Sequence, residues 1–491
     1  MTYRKKYARA SMTVFMGMTI LLILSIFFSL LEVVHFYSLK KESLMVSDIG
    51  AESMFADYCR PLWKEYGILA IDLGYGGDSP DRDMAAMRML DYLGVNLSVS
   101  QNASAGNHLN MMPAACEINS YGLLTDNNGG AFVKEAAKTV MYGIPQELFD
   151  KISDGGEHLS FVDFSWQDLL EKGEEAKQRA AERLSDDEAD AISEAYDGGS
   201  LEDDPIEAVL DHISESILSQ AVPADNISNK VMRVSNKISE RNLYSGNDEA
   251  VSSGVSDKLL FQAYLTDRFG CFTNPKNRKG LEYELEYMIS NEDSDRDNLA
   301  ETAEKLLAFR GAMNYTAIMS MHEKLSEADI LSEFMGGALL PQAQPAIRSG
   351  IIAAWVYAES IMDVRTLMSG GKISVIKNRT EWTSGLSNIV SILNGTAKSS
   401  NCEKGYDYRT YLGIMLTLSP ARVLSSRALE VIEDELRSRE NYKNVRLDCF
   451  IYSANIDFTY GAAPIFGNLV KAQNTPDGYA FKETRKMNYL K

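Results

Sequence analysis

A chain of 491 residues that is 45% hydrophobic, 24% charged and 9% aromatic has the composition of a folded protein and is too long for one ordinary domain. Its formal charge of -20 is spread unevenly: residues 1–41 hold six bases and a single acid, Glu32, so the remainder stands at -25. A body of that sign repels nucleic acid, which is therefore not an expected partner.

From Val14 to Val34 the sequence reads VFMGMTILLILSIFFSLLEVV and carries no charge before Glu32. About 20 apolar residues cross a bilayer core as a helix, whereas the apolar region of a signal peptide runs to only about 7–15. A spanning helix over 14–37 is expected, with the lipid bilayer as its partner. Arg4, Lys5, Lys6 and Arg9 precede it and only Lys40 and Lys41 follow. The positive-inside bias then places residues 1–13 in the cytoplasm as a basic tip and the body outside it. Thr13, Gly17, Ser25 and Ser29 share one helical stripe, which either lets another helix approach closely or reflects chance alignment. Glu32 lies near the outer end of the span, where water can reach it.

Met45, Ile49, Phe55, Tyr58, Leu62 and Tyr66 recur at near-helical spacing, so 38–66 reads as a juxtamembrane stem with a break at Pro61. The outer body divides into a first part, 67–150, a charged helical or variable insertion and linker, 151–256, and a second part, 257–491. In the first part a short strand over Ile68–Leu73 leads into a glycine turn and a helix from Asp81 to Leu93. Short strands are expected between His108 and Leu124, then a turn at Asn127–Gly130 and a helix over Ala131–Tyr142. Trp166–Tyr196 reads as a solvated helix or helical hairpin, and 221–256 as a polar linker or mobile loop. Helices are expected near 258–268, 298–325, 346–369 and 409–439, with strand character over Asp448–Phe458. The fold class is α+β and helix-rich: a long N-terminal transmembrane and stem helix carrying a large extracytoplasmic body.

The search for chemistry finds no HExxH, GxSxG or phosphate-loop pattern, so no catalytic residue and no cofactor is assigned. Gly74-x-Gly76-Gly77 lacks the third glycine of a nucleotide loop and reads as a turn. Asp293, Asp295, Asp297 and Glu304 occupy positions 1, 3, 5 and 12 of a calcium loop, but Asn298 replaces its glycine. The favoured reading is a helix cap by Asp297, with no metal site. Cys59, Cys116, Cys271, Cys402 and Cys449 are scattered, and read as mostly buried thiols. Six glycosylation-type sequons, including Asn314, are a chance expectation in a chain of this length.

Ser11-Met-Thr-Val-Phe15, the run ending at Glu32, and Ala51-Glu-Ser-Met-Phe-Ala-Asp-Tyr-Cys-Arg-Pro61-Leu-Trp63-Lys-Glu-Tyr-Gly67 resemble an uncharacterised family of unknown function. Its members are membrane-anchored proteins of Gram-positive bacteria encoded near tight-adherence (Tad) pilus and secretion genes. Tyr283-Glu-Leu-Glu-Tyr287, Arg310, Asn314, Ala358-Glu-Ser-Ile-Met-Asp363-Val-Arg365, Gly370-Gly-Lys372, Lys377 and Trp382 extend the resemblance, while 150–256 looks like a variable insertion. The N-terminal arrangement is similar to the minor pilins TadE and TadG, and implies pilus or secretion proteins as partners of the span and stem. Ala10-Ser11 fits a prepilin cleavage site, but Phe15 stands where those pilins carry glutamate. The expected function is a non-enzymatic assembly component; an extracytoplasmic binding or adhesin-type module comes second and a cell-envelope hydrolase third.

Overall fold

The computed structural model describes residues 3–102, 109, 111–141, 166–182, 204–214, 216–249, 251–252, 254–337, 340–466 and 478–490. It is a helix-rich α+β protein in two compact units. Unit 1 comprises Met1–Glu135, Leu243–Ser252 and Asn441–Lys491; unit 2 comprises Ala136–Asn242 and Ser253–Glu440. Divisions drawn along the sequence follow chain order, and the compact units do not. The C-terminal strands, read with 257–440 from sequence, belong with the N-terminal segment.

In unit 1, helix α1 runs without interruption from Tyr3 to Ala56. Its apolar first half, beginning at Met12, is long and apolar enough to cross a membrane, and hydrophobic residues from Met12 to Leu31 stand exposed. From His35 onward one face is buried: His35, Leu39, Ser43, Val46, Ser47, Ala51, Met54 and Phe55 follow the helical period. The stripe expected from Met45 and Ile49 is rotated off this face, and Met45 is exposed. Small serines displace it because they let the sheet come close; Ser47 Oγ lies 2.8 Å from Tyr460 Oη. The break before Pro61 is present: α1 ends at Ala56, and α2 (Arg60–Tyr66) starts with the proline in its first turn, where a missing N–H is tolerated.

The sheet of unit 1 is antiparallel and centred on β3 (Phe450–Ala462). One side of β3 pairs with β2 (Met111–Leu123), in register from Met111↔Ala462 to Leu123↔Ile451. The other pairs with β1 (Ile71–Asp72) at Ile451 and Phe450, then with β4 (Tyr479–Asn488) from Ser453↔Asn488 to Ala462↔Tyr479. Short strands were expected before Leu124; one 13-residue strand, kept long by register shifts after Pro113, Ile118 and Gly122, replaces them. Leu39, Val46 and Phe55 of α1 and Met89 and Leu93 of α3 (Arg82–Asn102) form one core with Ile118, Ile456 and Phe458. The glycine segment after β1 is an ordinary turn. Asp72 itself accepts from Gly74 N at 2.9 Å and Gly76 N at 2.6 Å, occupying the donors a phosphate would need. Asn127, Asn128 and Gly129 adopt the left-handed region at the start of α4 (Asp126–Met141), the turn that Asn-Asn-Gly-Gly signals.

Unit 2 is helical. Its helices include α5 (Trp166–Ala181), α6 (Pro205–His212), α7 (Ile217–Ala221), α8 (Val255–Arg268), α9 (Glu284–Ser290), α10 (Asp295–Met319), α11 (His322–Ser332), α12 (Gln344–Met368), α13 (Ile389–Leu393), α14 (Tyr408–Thr417) and α15 (Ala421–Arg437). Helix α12 is buried all round from Gly350 to Met368, as a central helix of a bundle is. Helix α5, expected to be solvated, instead buries Trp166, Leu170, Gly173, Ala176 and Ala180. Small residues bring it onto α12: a Cβ on Gly173 would lie 2.9 Å from Gly350 Cα. The rest of the expected hairpin, 183–196, lies outside the described residues. The single helix expected over 409–439 is two, α14 and α15, because Pro420 cannot continue the first and starts the second.

Candidate functional site

The chemistry of unit 2 is concentrated in two buried polar networks. The first gathers residues that are far apart in sequence. Arg310 on α10 donates through Nε and Nη2 to Asp363 Oδ2 on α12, at 3.0 and 2.8 Å, and both side chains are fully buried. Asn314 donates to the same oxygen at 2.8 Å and to Ser360 Oγ at 3.0 Å. Lys377 is ion-paired with Glu359 and Asp363, and Ser399 Oγ donates to Asp363 Oδ1 at 2.7 Å. Two cations thus neutralise two carboxylates in a buried place, the condition under which buried charge is tolerated. Burial alone would raise the Asp363 carboxyl; Arg310 and Lys377 outweigh it and hold it below the usual carboxylate range. Arg365, also buried, spends its guanidinium on the carbonyls of Ile392 at 2.7 Å and Leu393 at 3.4 Å, the C-terminal end of α13. Asn314, a sequon by spelling, is wholly inside this network.

The second network is made of carboxylates on α9, α10 and α15 that receive backbone N–H groups from irregular segments. Glu430 accepts from Ser239 N at 2.8 Å and Tyr287 Oη at 2.7 Å, and Asp434 from Arg233 N at 2.6 Å. Glu435 accepts from Lys279 N and Gly280 N, both at 2.8 Å, and Glu433 pairs with Arg241 in a fork at 2.7 Å. Segment 226–242, expected as part of a linker or mobile loop, is therefore pinned to α15 at Arg233, Ser239 and Arg241. Its serines and asparagines suggested solvation; the acids that anchor it stand some 200 positions later in the chain. Glu284 is fully buried against Arg278, and Glu286 accepts from Phe272 N at 2.8 Å and Tyr408 Oη at 3.0 Å. Burial pushes both carboxyls up to about 7. A signal for this network was present in Glu430-Val-Ile-Glu-Asp-Glu-Leu436, where acids occupy positions flanked by core residues.

The Asp293–Glu304 segment is part of the second network, and its cap differs from the expected one. Ser294, not Asp297, caps α10: its Oγ accepts from Asp297 N at 3.1 Å, and the helix begins at Asp295. Asp295 is buried and accepts from Ser228 Oγ at 2.6 Å, Tyr283 N at 3.0 Å and Glu282 N at 3.1 Å. Asp293 pairs with Lys237 at 2.9 Å. The acids thus serve separate partners, and among the described residues no cluster of three or more His, Cys, Asp or Glu side chains suits a metal. The five cysteines stand as separate thiols, four of them buried.

Unit 1 contributes a third arrangement, at the point where α1 leaves its exposed half. Glu32 accepts from Phe466 N at 2.8 Å, Ile465 N at 3.3 Å and Tyr479 Oη at 2.8 Å. Phe28 stacks on Phe466 with centroids 4.9 Å apart, and Phe36 lies edge-on to Tyr479 at 5.3 Å. Glu32, expected to be hydrated, is engaged by the β3–β4 connection. Sequence reasoning missed this because β4 was not recognised; the alternation Tyr479, Phe481, Glu483, Arg485 was its signal.

A surface concavity of unit 2, about 470 Å³, is lined by His322, Glu323, Lys324, Asn378 and Arg379. Lys324 there lies 4.2 Å from the Trp355 ring centre and 5.7 Å from that of Trp382, and burial lowers its pKa.

These features define a class: a helix-rich α+β protein with a long apolar N-terminal helix and a helical unit built around buried ion pairs. Residues 197–462 match the model of a family of unknown function (DUF5702), and the chain belongs to that family. The match begins at 197, so much of the segment that looked like a variable insertion is family sequence. No curated protein and no solved structure matches the chain.

Proposed function

We propose that the chain is a single-pass membrane protein, N-terminus in the cytoplasm and both units outside, working through protein contacts rather than catalysis. The observation that carries this is the unbroken helix whose apolar residues from Met12 to Leu31 are exposed while its continuation is built into the core of unit 1. At 1.5 Å per residue that stretch is about 30 Å long, the thickness of a bilayer core. A signal peptide serves translocation and is then removed; here Glu32 and His35 are engaged by the sheet, which favours retention. The sequence resemblance supports a place in a Tad-like pilus or secretion apparatus, as an assembly or minor-pilin-like component. Phe15 in place of the pilin glutamate favours an assembly role over incorporation into the fibre.

The test is fractionation and crosslinking in the native host. The chain should stay with membranes after carbonate washing, external protease should remove its body, and crosslinking through α1 should recover Tad-type proteins. Release by carbonate overturns the anchor; repeated recovery of no pilus protein, with normal pili after deletion, overturns the assembly role. The concavity at Lys324 favours a second reading, a ligand-binding module, which saturable binding of a wall glycan or small ligand to the full chain would support.

A further inference from the structure

We infer that the segment leaving β3 makes a second membrane contact: Ile465 and Phe466 enter the outer leaflet beside α1, at the boundary between acyl chains and headgroups. This rests on the spanning reading of α1. If Met12–Leu31 spans the core, its midpoint falls between Leu21 and Leu22. Phe28 then lies about 10 Å above the bilayer midplane and Glu32 about 15 Å, where the hydrocarbon ends. Phe466 stacks on Phe28 at 4.9 Å, so it shares that depth. Ile465 beside it is 52% exposed, an apolar side chain that unit 1 leaves uncovered at the same level.

The placement also explains an acid in an apolar helix. Backbone lowered into lipid brings N–H groups that water no longer satisfies. Glu32 supplies the acceptors, taking Ile465 N, Phe466 N and Tyr479 Oη on its two oxygens. Above this level Phe36, Tyr37 and Tyr479 form an aromatic layer and Lys40 and Lys41 follow, the order of side chains found on leaving a membrane. Lipid is therefore the occupant argued for, rather than a protein groove.

The full chain, reconstituted in phosphatidylcholine nanodiscs, tests this with a bimane label on Ile465→Cys. Labels on Leu24→Cys in the span and on the exposed Met87→Cys in α3 serve as references, and the unsubstituted chain supplies the background from native thiols. The Ile465 label should be blue-shifted and lose most of its emission to lipid nitroxides near the headgroup, and the Leu24 label to nitroxides deep in the acyl chains, while Met87 keeps its own. A quenched Leu24 with an unquenched Ile465 overturns the second contact and leaves the anchor standing; an unquenched Leu24 overturns the spanning reading itself. Ala463→Cys, at an exposed position on the same segment, repeats the reading if the Ile465 variant folds poorly.

Discussion

Arg310 and Asp363, 53 residues apart, meet with no exposed surface on either side chain, two guanidinium nitrogens converging on one carboxylate oxygen. Removing one member leaves the other charge uncompensated in the interior. Asp363→Ala leaves Arg310 without its carboxylate and Lys377 with Glu359 alone, and should lower the stability of unit 2 by about 3–5 kcal/mol. A urea titration followed by the fluorescence of Trp355 and Trp382 checks this. A loss below about 1 kcal/mol would mean that water reaches the network.

The pH dependence of unit 2 should run opposite to that of an ordinary salt-bridged domain. Glu284 and Glu286 have carboxyls raised by burial from 4.5 to about 7. Between those values the folded chain keeps protons that the unfolded chain has released, so stability falls as pH rises through the window and levels off above it. Among the described residues Glu286 has no cationic partner, and its second oxygen lacks a hydrogen bond. Glu286→Gln keeps the oxygen that accepts from Phe272 and Tyr408 and removes the cost of ionisation. The variant should match the parent at pH 5 and exceed it by about 1–3 kcal/mol at pH 8. Equal stability at both values would show that Glu286 ionises freely.

How much of this was legible follows from the range of each signal. The apolar run before Glu32, the break at Pro61 and the turn at Asn127–Gly129 are local, and they stand where composition and spacing place them. The resemblance motifs pointed to Arg310, Asn314, Asp363 and Lys377, but only the fold shows them sharing one network. Segment 226–242 was misread because its order is not its own: Asp434 and Glu430 hold it, and no local pattern couples residues 200 positions apart. The partners of Glu32 were hidden for the same reason, since its donors belong to the end of the chain.

The start of α10 separates a cap from a metal ligand. Ser294→Ala removes one acceptor from the first turn and should cost about 1 kcal/mol. Asp295→Ala leaves Tyr283 N and Glu282 N without their acceptor in a buried place, and should cost about 2–4 kcal/mol. Calcium added to the full chain should leave its melting temperature unchanged. A calcium-dependent rise abolished by Asp295→Ala would overturn the assignment of these acids to the helix start.

Glu32 offers the most local test of how α1 is joined to the sheet. Its carboxylate accepts two backbone N–H groups, and hydrogen bonds to charged groups contribute about 1.5–3 kcal/mol each. Glu32→Ala should therefore speed hydrogen exchange at Ile465 and Phe466 by about 10- to 100-fold, since each 1.4 kcal/mol is tenfold. The stacking of Phe28 on Phe466 involves neither oxygen of Glu32, so the ring contact should persist. Tyr479→Phe deletes one donor and leaves both amide bonds, and should move exchange much less. Exchange that is equally slow in the parent and in Glu32→Ala would mean that these amides are protected by burial alone. The acid would then have no part in seating this segment.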